Sequence, residues 1–329
     1  MVEPTREDLR QTFLKSSGWG TAKQDALAGD ASNRRYIRLN NNGQRAMLMD
    51  APPATENVHS FMHIAGHLIA HGFSAPQIYD ADETLGFLIL EDFGDDTFTN
   101  LLDRDENEHA LYTLATDTLA RLHRLPAADG VPDYDNDRLL AETALLPDCY
   151  MKAHGLSGDR DRYDQIWLDL FARVHLGPTT LVLRDYHVDI LMRLKDRFGV
   201  AACGLLDFQD ALVGHPAYDL MSLLEDARRD VDGDLQAQMI ERYHATVATK
   251  DRAAFDEAYA ILAAQRHAKV IGIFTRLDQR DGKPHYLKHI DRLWRLFEHS
   301  LNHPTLAPMK AWVDQYIPAD DRCVAKDCS

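Results

Sequence analysis

Apolar and polar positions follow two different periods along the chain, and the change of period falls near Gly94. Residues 6–14 have the spacing of a short amphipathic helix. A turn-rich stretch then runs from Leu27 through Asn33 into a strand that ends at Leu39. Asn40, Asn41, Asn42 and Gly43 predict a tight hairpin, because Asn and Gly tolerate the positive φ such turns require. The return strand covers 44–49 and is closed by Pro52 and Pro53. Residues 55–71 read as helix, and 78–80 and 87–90 as strands. Hairpin, helix and strands together describe a small α+β unit.

Beyond residue 95 the helical period dominates. Residues 106–125, 138–154 and 162–175 are expected helices, and helical spacing resumes from Pro216 to about residue 299. One compact β segment interrupts them, with strands at 179–183, 190–194 and 200–206 and a turn at 196–199. No internal repeat or low-complexity tract is present. The single shift in composition places a boundary between an N-terminal lobe, 1–93, and a mostly helical lobe, 94–329.

Composition narrows the function. The chain has 329 residues and a formal charge of -16, which opposes binding to nucleic acid and to anionic membrane surfaces. No apolar stretch approaches bilayer length, and the first residues lack the basic and apolar segments of a secretory signal. The four cysteines form no CxxC pair, as expected of a reducing compartment. The expected location is cytoplasmic.

The β segment holds the most informative residues. A strand delivers Arg184, Asp185, Tyr186 and His187, and a later strand ends at Asp207, Phe208, Gln209 and Asp210. Two carboxylates at the tips of what are expected to be neighbouring strands suit phosphoryl transfer. One takes or orients the proton of an attacking hydroxyl, and the other holds the magnesium that neutralises a triphosphate. Gly214, Pro216, Asp219 and Leu220 then mark a helix start, with Pro216 where an early helical position tolerates it.

At these residues the sequence resembles the aminoglycoside phosphotransferase and choline kinase superfamily, relatives of protein kinases. The matching elements are Leu183-Arg184-Asp185, then Asp207, then Gly214 to Leu220. The wording around Gly29, Met49-Asp50-Ala51-Pro52 and Asp207-Phe208-Gln209-Asp210 is closest to the bacterial branch that phosphorylates N-acetylmuramate or N-acetylglucosamine in cell-wall recycling. The resemblance implies a protein-kinase-like two-lobed α+β fold that uses ATP and Mg2+ to phosphorylate a small sugar-like substrate. It makes Asp185 the catalytic base and Asp207 the magnesium ligand. Gly29, Ser32, Asn33 and Arg35 would lie in the turn covering the triphosphate. Leu90, Glu91, Asp92 and Phe93 would form the hinge that meets adenine, with the nucleotide between the lobes. Tyr186, His187, Gln209 and Asp210 are placed to meet the acceptor. Asp219 is expected to brace the catalytic loop.

Three positions depart from the family pattern. Leu183 stands where the family has His, a position that supports the loop from behind. Ile190 replaces the loop Asn and cannot ligate a metal, so Asp189, water or phosphate oxygen would complete the coordination. No Lys stands on the strand at 44–49, where Met49 takes its place, and Arg34, Arg35 or Arg38 would supply the positive charge. These departures motivate a rival reading, a nucleotide-binding pseudokinase, and an antibiotic kinase acting on aminoglycosides is another. His59, His63, His67 and His71 recur every four residues, a pattern read as a polar helix face, since successive steps drift around the helix and cannot converge on one ion.

Overall fold

The computed structural model describes residues 4–27 and 33–324. Its chain divides into two compact units, Met1–Thr118 with Val188–Ala211, and Leu119–His187 with Leu212–Ser329.

Thr5 begins the first helix, α1 (Arg6–Ser16), with a reciprocal cap: its hydroxyl accepts from the Asp8 amide, and the Asp8 carboxylate accepts from the Thr5 amide at 2.9 Å. Strands β1 (Lys23–Ala26), β2 (Arg35–Asn41), β3 (Gln44–Asp50), β4 (Ile78–Asp82) and β5 (Phe87–Leu90) pair antiparallel in the order β1-β2-β3-β5-β4. The β2–β3 turn puts Asn42 at φ 52° and Gly43 at φ 91°, as the hairpin signal requires. Strand β1 lacks an apolar alternation because it is an exposed edge, and sequence periodicity misses it. Phe13 and Leu14 of α1 pack on Ile37, Leu39, Leu48, Phe87 and Ile89, which gives the sheet one buried face. Helix α2 (Val58–Ala70), capped by Asn57, buries Val58, Phe61, Ile64 and Leu68. Helices α3 (Phe98–Leu102) and α4 (Glu108–Leu122) follow.

The second unit continues with α5 (Asn136–Thr143), a π-helical turn at Leu146–Met151, α6 (Arg160–Val174) and β6 (Thr180–Val182). The single helix expected over 138–154 is therefore interrupted, and Pro147, which has no amide hydrogen to donate, lies in the break. The chain then returns to the first unit for β7 (Leu191–Arg193) and β8 (Cys203–Leu205), which pair with each other. The expected strand over 200–206 is half 3-10 helix, Gly199–Ala202. Strand β9 (Leu212–Gly214) belongs to the second unit and pairs antiparallel with β6. Helices α7 (Ala217–Leu224), α8 (Gly233–Val247), α9 (Arg252–Asp281), α10 (Ile290–Leu301) and α11 (Ala307–Tyr316) complete that unit. The thirty-residue α9 buries an unbroken run from Ile261 to Gly272.

One expectation changes. The strands leading to Asp185 and Asp207 are not paired neighbours: β6 pairs with β9, and β8 with β7. The first unit runs to Thr118 and takes back Val188–Ala211. The reason is local pairing: the Thr99 amide donates to the Val188 carbonyl at 3.1 Å, Thr97 bridges to Met192, and Ser74 bridges to Gly204.

Candidate functional site

In the second unit, β6 feeds a loop whose backbone is fixed by one buried carboxylate. Asp219, in the first turn of α7 and wholly buried, accepts from the Leu183 amide at 2.7 Å and the Arg184 amide at 2.9 Å. Arg184 lies at φ 69°, a conformation unfavourable for a residue with a side chain. The two amide bonds hold it there. Leu183 is buried, consistent with a supporting position.

Asp185 follows, with its carboxylate 3.3 Å from Arg266 Nη2 and its side chain 42% exposed. Arg266 also donates to the Arg184 carbonyl at 2.8 Å and to the Tyr218 hydroxyl at 3.3 Å. Around Arg184 stands Glu142, which accepts from the Arg184 guanidinium, the Tyr134 hydroxyl, Lys269 at 2.9 Å and Gln265 at 2.8 Å. Burial alone would raise both carboxyl pKa values, but the cations outweigh it. Lys269 and Arg184 hold Glu142 down at about 2, and Arg266, Lys269, His187 and Arg184 hold Asp185 well below the carboxylate range. Asp185 is therefore ionised at any working pH. Tyr186, expected at the acceptor, is 1% exposed and belongs to the core. His187 is also buried, which lowers its pKa against the opposing pull of Asp226, and its Nδ1 makes no hydrogen bond among the described residues.

In the first unit, Asp207 lies at φ 57° just beyond β8, with its side chain 43% exposed. Its Oδ1 accepts from Gln209 Nε2 at 2.9 Å and from Arg34 Nη2 at 3.3 Å. Arg34 is paired in turn with Glu56 at 3.2 Å, and the other Glu56 oxygen accepts from the Asn33 amide at 3.2 Å. Phe208 stacks on Phe61 of α2 with 5.0 Å between ring centroids. Gln209 also donates to Asp210 at 3.1 Å. Of the three arginines that could stand in for a strand Lys, Arg34 alone meets Asp207. Arg35 is exposed, and Arg38 is engaged by Asp92 at 2.9 Å and Asp95 at 2.8 Å. Met49 is buried on β3. Gly29 and Ser32 lie outside the described residues.

The residues expected to form the hinge carry their own contacts. Leu90 ends β5 in the core, and the Glu91 amide donates to the Gln77 carbonyl at 2.8 Å. The Glu91 side chain pairs with Arg197, whose guanidinium lies 5.3 Å from the Phe93 ring centre. Asp92 holds Arg45 as well as Arg38.

A divalent ion fits these donors. Magnesium takes hard oxygen ligands and keeps waters and phosphate oxygens, so one or two carboxylates are enough. The half-exposed Asp207 carboxylate supplies that chemistry, although Asp189 receives the Thr99 hydroxyl. Among the described residues no closed group of three or more His, Cys, Asp and Glu surrounds a metal position. The histidine stripe is no exception, since His59 pairs with Glu83 at 2.8 Å and His71 bonds the His67 carbonyl.

The sequence pattern of the phosphotransferase enzyme family, APH, matches residues 23–258. The chain belongs to this family. The N-acetylmuramate/N-acetylglucosamine kinase of Caulobacter vibrioides is 35% identical to this phosphotransferase, covering 96% of this chain and 98% of that protein. The kinase of the same name from Pseudomonas aeruginosa is 35% identical, over 92% and 91%. Among solved structures, a choline/ethanolamine kinase family protein from Mesorhizobium loti superposes with a TM-score of 0.61 at 13% identity, over 94% of this chain and all of that one. The ADP-bound aminoglycoside phosphotransferase APH(2'')-Ib gives 0.58 at 14% identity, over 89% and 99%. The phosphotransferase thus has the protein-kinase-like α+β fold, and no helix among its described residues is long and apolar enough to cross a membrane.

Sequence reading missed Glu142, Tyr218, Arg266 and Lys269. One signal was available: Arg266 and Lys269 are charges within a long, largely apolar stretch of α9 that also holds Gln265 and His267, where a buried charge needs a partner.

Proposed function

We propose that this phosphotransferase uses ATP and Mg2+ to phosphorylate a hydroxyl of an amino sugar of the N-acetylmuramate or N-acetylglucosamine class. The observation that carries the reading is the Asp185 loop, braced by Asp219 and held ionised by Arg266, in a chain whose curated relatives bear the names of such kinases. Asp185 accepts a hydrogen bond from the acceptor hydroxyl and takes its proton as the new O–P bond forms. The bond from the γ-phosphorus to the β,γ-bridging oxygen breaks, and ADP leaves with that oxygen. A weak base suits a loose transition state, in which the proton moves late and orientation matters more than basicity. Asp207 is the carboxylate assigned to magnesium, which would neutralise charge on the phosphate oxygens. Arg34, steadied by Glu56, takes the part of the missing strand Lys, since a guanidinium presents paired donors to phosphate oxygens. Tyr36, whose pKa burial raises to about 12, stays neutral beside Arg34.

ATP consumption measured side by side with N-acetylmuramate, N-acetylglucosamine, an aminoglycoside and choline tests the assignment. Turnover on the two amino sugars supports it, and turnover on the aminoglycoside or choline alone overturns the substrate class. Ile190 favours one rival, a pseudokinase. Stabilisation by magnesium-ATP with no turnover on any acceptor would establish that rival.

A further inference from the structure

Asp219 braces the Asp185 loop with a negative charge, and what balances that charge lies outside the loop. The carboxylate is wholly buried and accepts from the Leu183 and Arg184 amides. Among the described residues no Lys or Arg forms an ion pair with it. Two amide dipoles compensate an ionised carboxylate only in part, and burial favours its neutral, protonated form. A protonated Asp219 would carry a donor on one oxygen, set against a backbone N–H. The shape of the loop therefore depends on whatever keeps this group ionised.

His123, directly after α4, is the basic group within reach. Its Nε2 stands 3.7 Å from Asp219 Oδ2, the oxygen that receives the Leu183 amide, and the two side chains are 2% and 0% exposed. This nitrogen is buried and makes no hydrogen bond among the described residues. The separation is too long for a hydrogen bond, but charge and dipole act strongly across it where water is excluded.

The other ring nitrogen fixes which way the ring faces. Nδ1 lies 2.8 Å from the hydroxyl of Tyr243 on α8. That hydroxyl keeps its proton, because burial and then the charge of Asp219 push its pKa up. In a neutral imidazole the hydroxyl donates to Nδ1, and the ring proton sits on Nε2, facing Asp219. In an imidazolium both nitrogens carry protons and the Tyr243 oxygen accepts. Either way an N–H faces the carboxylate. Tyr243 is itself fixed, 1% exposed and packed on Phe255 of α9 with 5.6 Å between ring centroids.

We propose that His123 is a positioning residue for phosphoryl transfer. Oriented by Tyr243, it keeps Asp219 ionised, and Asp219 in turn holds Arg184 at φ 69° and sets Asp185 toward the acceptor. His123 touches no reacting atom and acts through Asp219. That role rests on the reading of Asp185 as the base, whereas the hydrogen bonds of the loop can be followed without it.

His123→Phe and His123→Gln are compared with the parent, as full chains, by steady-state kinetics and by NMR of the Leu183 and Arg184 amides. The Gln side chain can set an N–H toward Asp219, and the Phe ring cannot. In His123→Phe, kcat should fall about tenfold to a hundredfold, with KM for ATP and for the amino sugar within about twofold of the parent. The two amide protons should move upfield and exchange faster with solvent. His123→Gln should recover most of both effects. Tyr243→Phe deletes one oxygen from a packed ring, so it keeps the fold and should show a smaller loss of the same kind even where His123→Phe does not fold. Unchanged kcat in His123→Phe, a fall in kcat with both amides unmoved, or a Gln variant no better than Phe overturns the proposal. A Tyr243→Phe variant that matches the parent in both readouts overturns it too. A parent that turns over none of the acceptors would fail the kinase reading, and the amide shifts would still decide whether His123 holds the loop.

Discussion

Arg184 and Asp207 are both non-glycine residues in the left-handed region, at φ 69° and 57°, a conformation that costs an ordinary residue about 1–2 kcal/mol. Each is held by contacts that oppose this cost, the Asp219 carboxylate for one and the Arg34 and Gln209 donors for the other. Strain kept at two loops of a phosphotransferase marks where side chains must point one way. Asp185→Asn is expected to leave nucleotide affinity within a few-fold of the parent while turnover falls by 10²-fold or more, checked by calorimetric titration beside a coupled ADP assay. Asp207→Asn should instead abolish the magnesium dependence of nucleotide binding. Because Arg266 holds the Asp185 pKa below the carboxylate range, the pH–rate profile should show no limb from this group between pH 5 and 8. Such a limb, lost in Asp185→Asn, would contradict the ion-pair geometry.

A different carboxylate moves the other way. Burial lifts the Glu225 pKa from 4.5 to about 7, with the Tyr259 hydroxyl opposing. A raised folded-state value means the unfolded chain ionises first, so stability is lost as pH climbs from about 4.5 to about 7 and then levels off. At about 1.4 kcal/mol per pH unit, the cost by pH 8 is on the order of 3 kcal/mol. Glu225→Gln should therefore melt increasingly above the parent as pH rises from 5 to 7, with a constant gap beyond. A gap that is the same at pH 5 and pH 8 would count against the burial of this group as its cause.

At the scale of elements, three helices of the second unit converge on one loop. Helix α7 contributes Asp219 and Tyr218, α9 contributes Arg266 and Lys269, and α5 contributes Glu142. Asp219→Asn leaves one neutral oxygen to accept and sets its NH2, a donor, against the other backbone N–H, at about 2 kcal/mol of stability or more. Its distinguishing effect is on catalysis: kcat should fall with nucleotide affinity little changed, since the loop loses its shape and not its carboxylate. A loss of Tm with kcat preserved would make Asp219 purely structural. Some of this was legible in the residues. The Asn42-Gly43 turn, the strand before Arg184 and the helix start at Pro216 follow from local conformational demand, which short sequences carry. The pairing of β6 with β9 was not legible, because three-residue strands buried on both faces have no alternation to set their register. Glu142 was not legible either. Its partners lie 42 and 127 residues away in the chain, and a Glu on an amphipathic helix looks solvated until its neighbours are placed.

Across the whole molecule, the apolar periods predict strands β2 to β5 and most of the long helices, because burial of one face is a property of each segment by itself. Composition changes at Gly94, whereas the packing of the chain divides near residue 118. Saturating nucleotide should read out the assembled fold. A ligand at one hundred times its Kd stabilises the native state by about 2.7 kcal/mol, so magnesium-ATP should raise Tm by a few degrees and ATP with a chelator by less. Equal rises would remove the metal from nucleotide binding.

The excursion of residues 188–211 into the first unit has a consequence for how this protein can be divided. A fragment ending at Thr118 would lack the aromatic ring of Phe208 that stacks on Phe61, the Arg197 that pairs with Glu91, and the Gly204 bridge to Ser74. Its complement would carry an orphaned hairpin between β6 and β9. Neither half is heritable as a cassette, so gene fusion or truncation at the apparent boundary should yield insoluble pieces, and co-expression of both pieces should be needed to recover the fold.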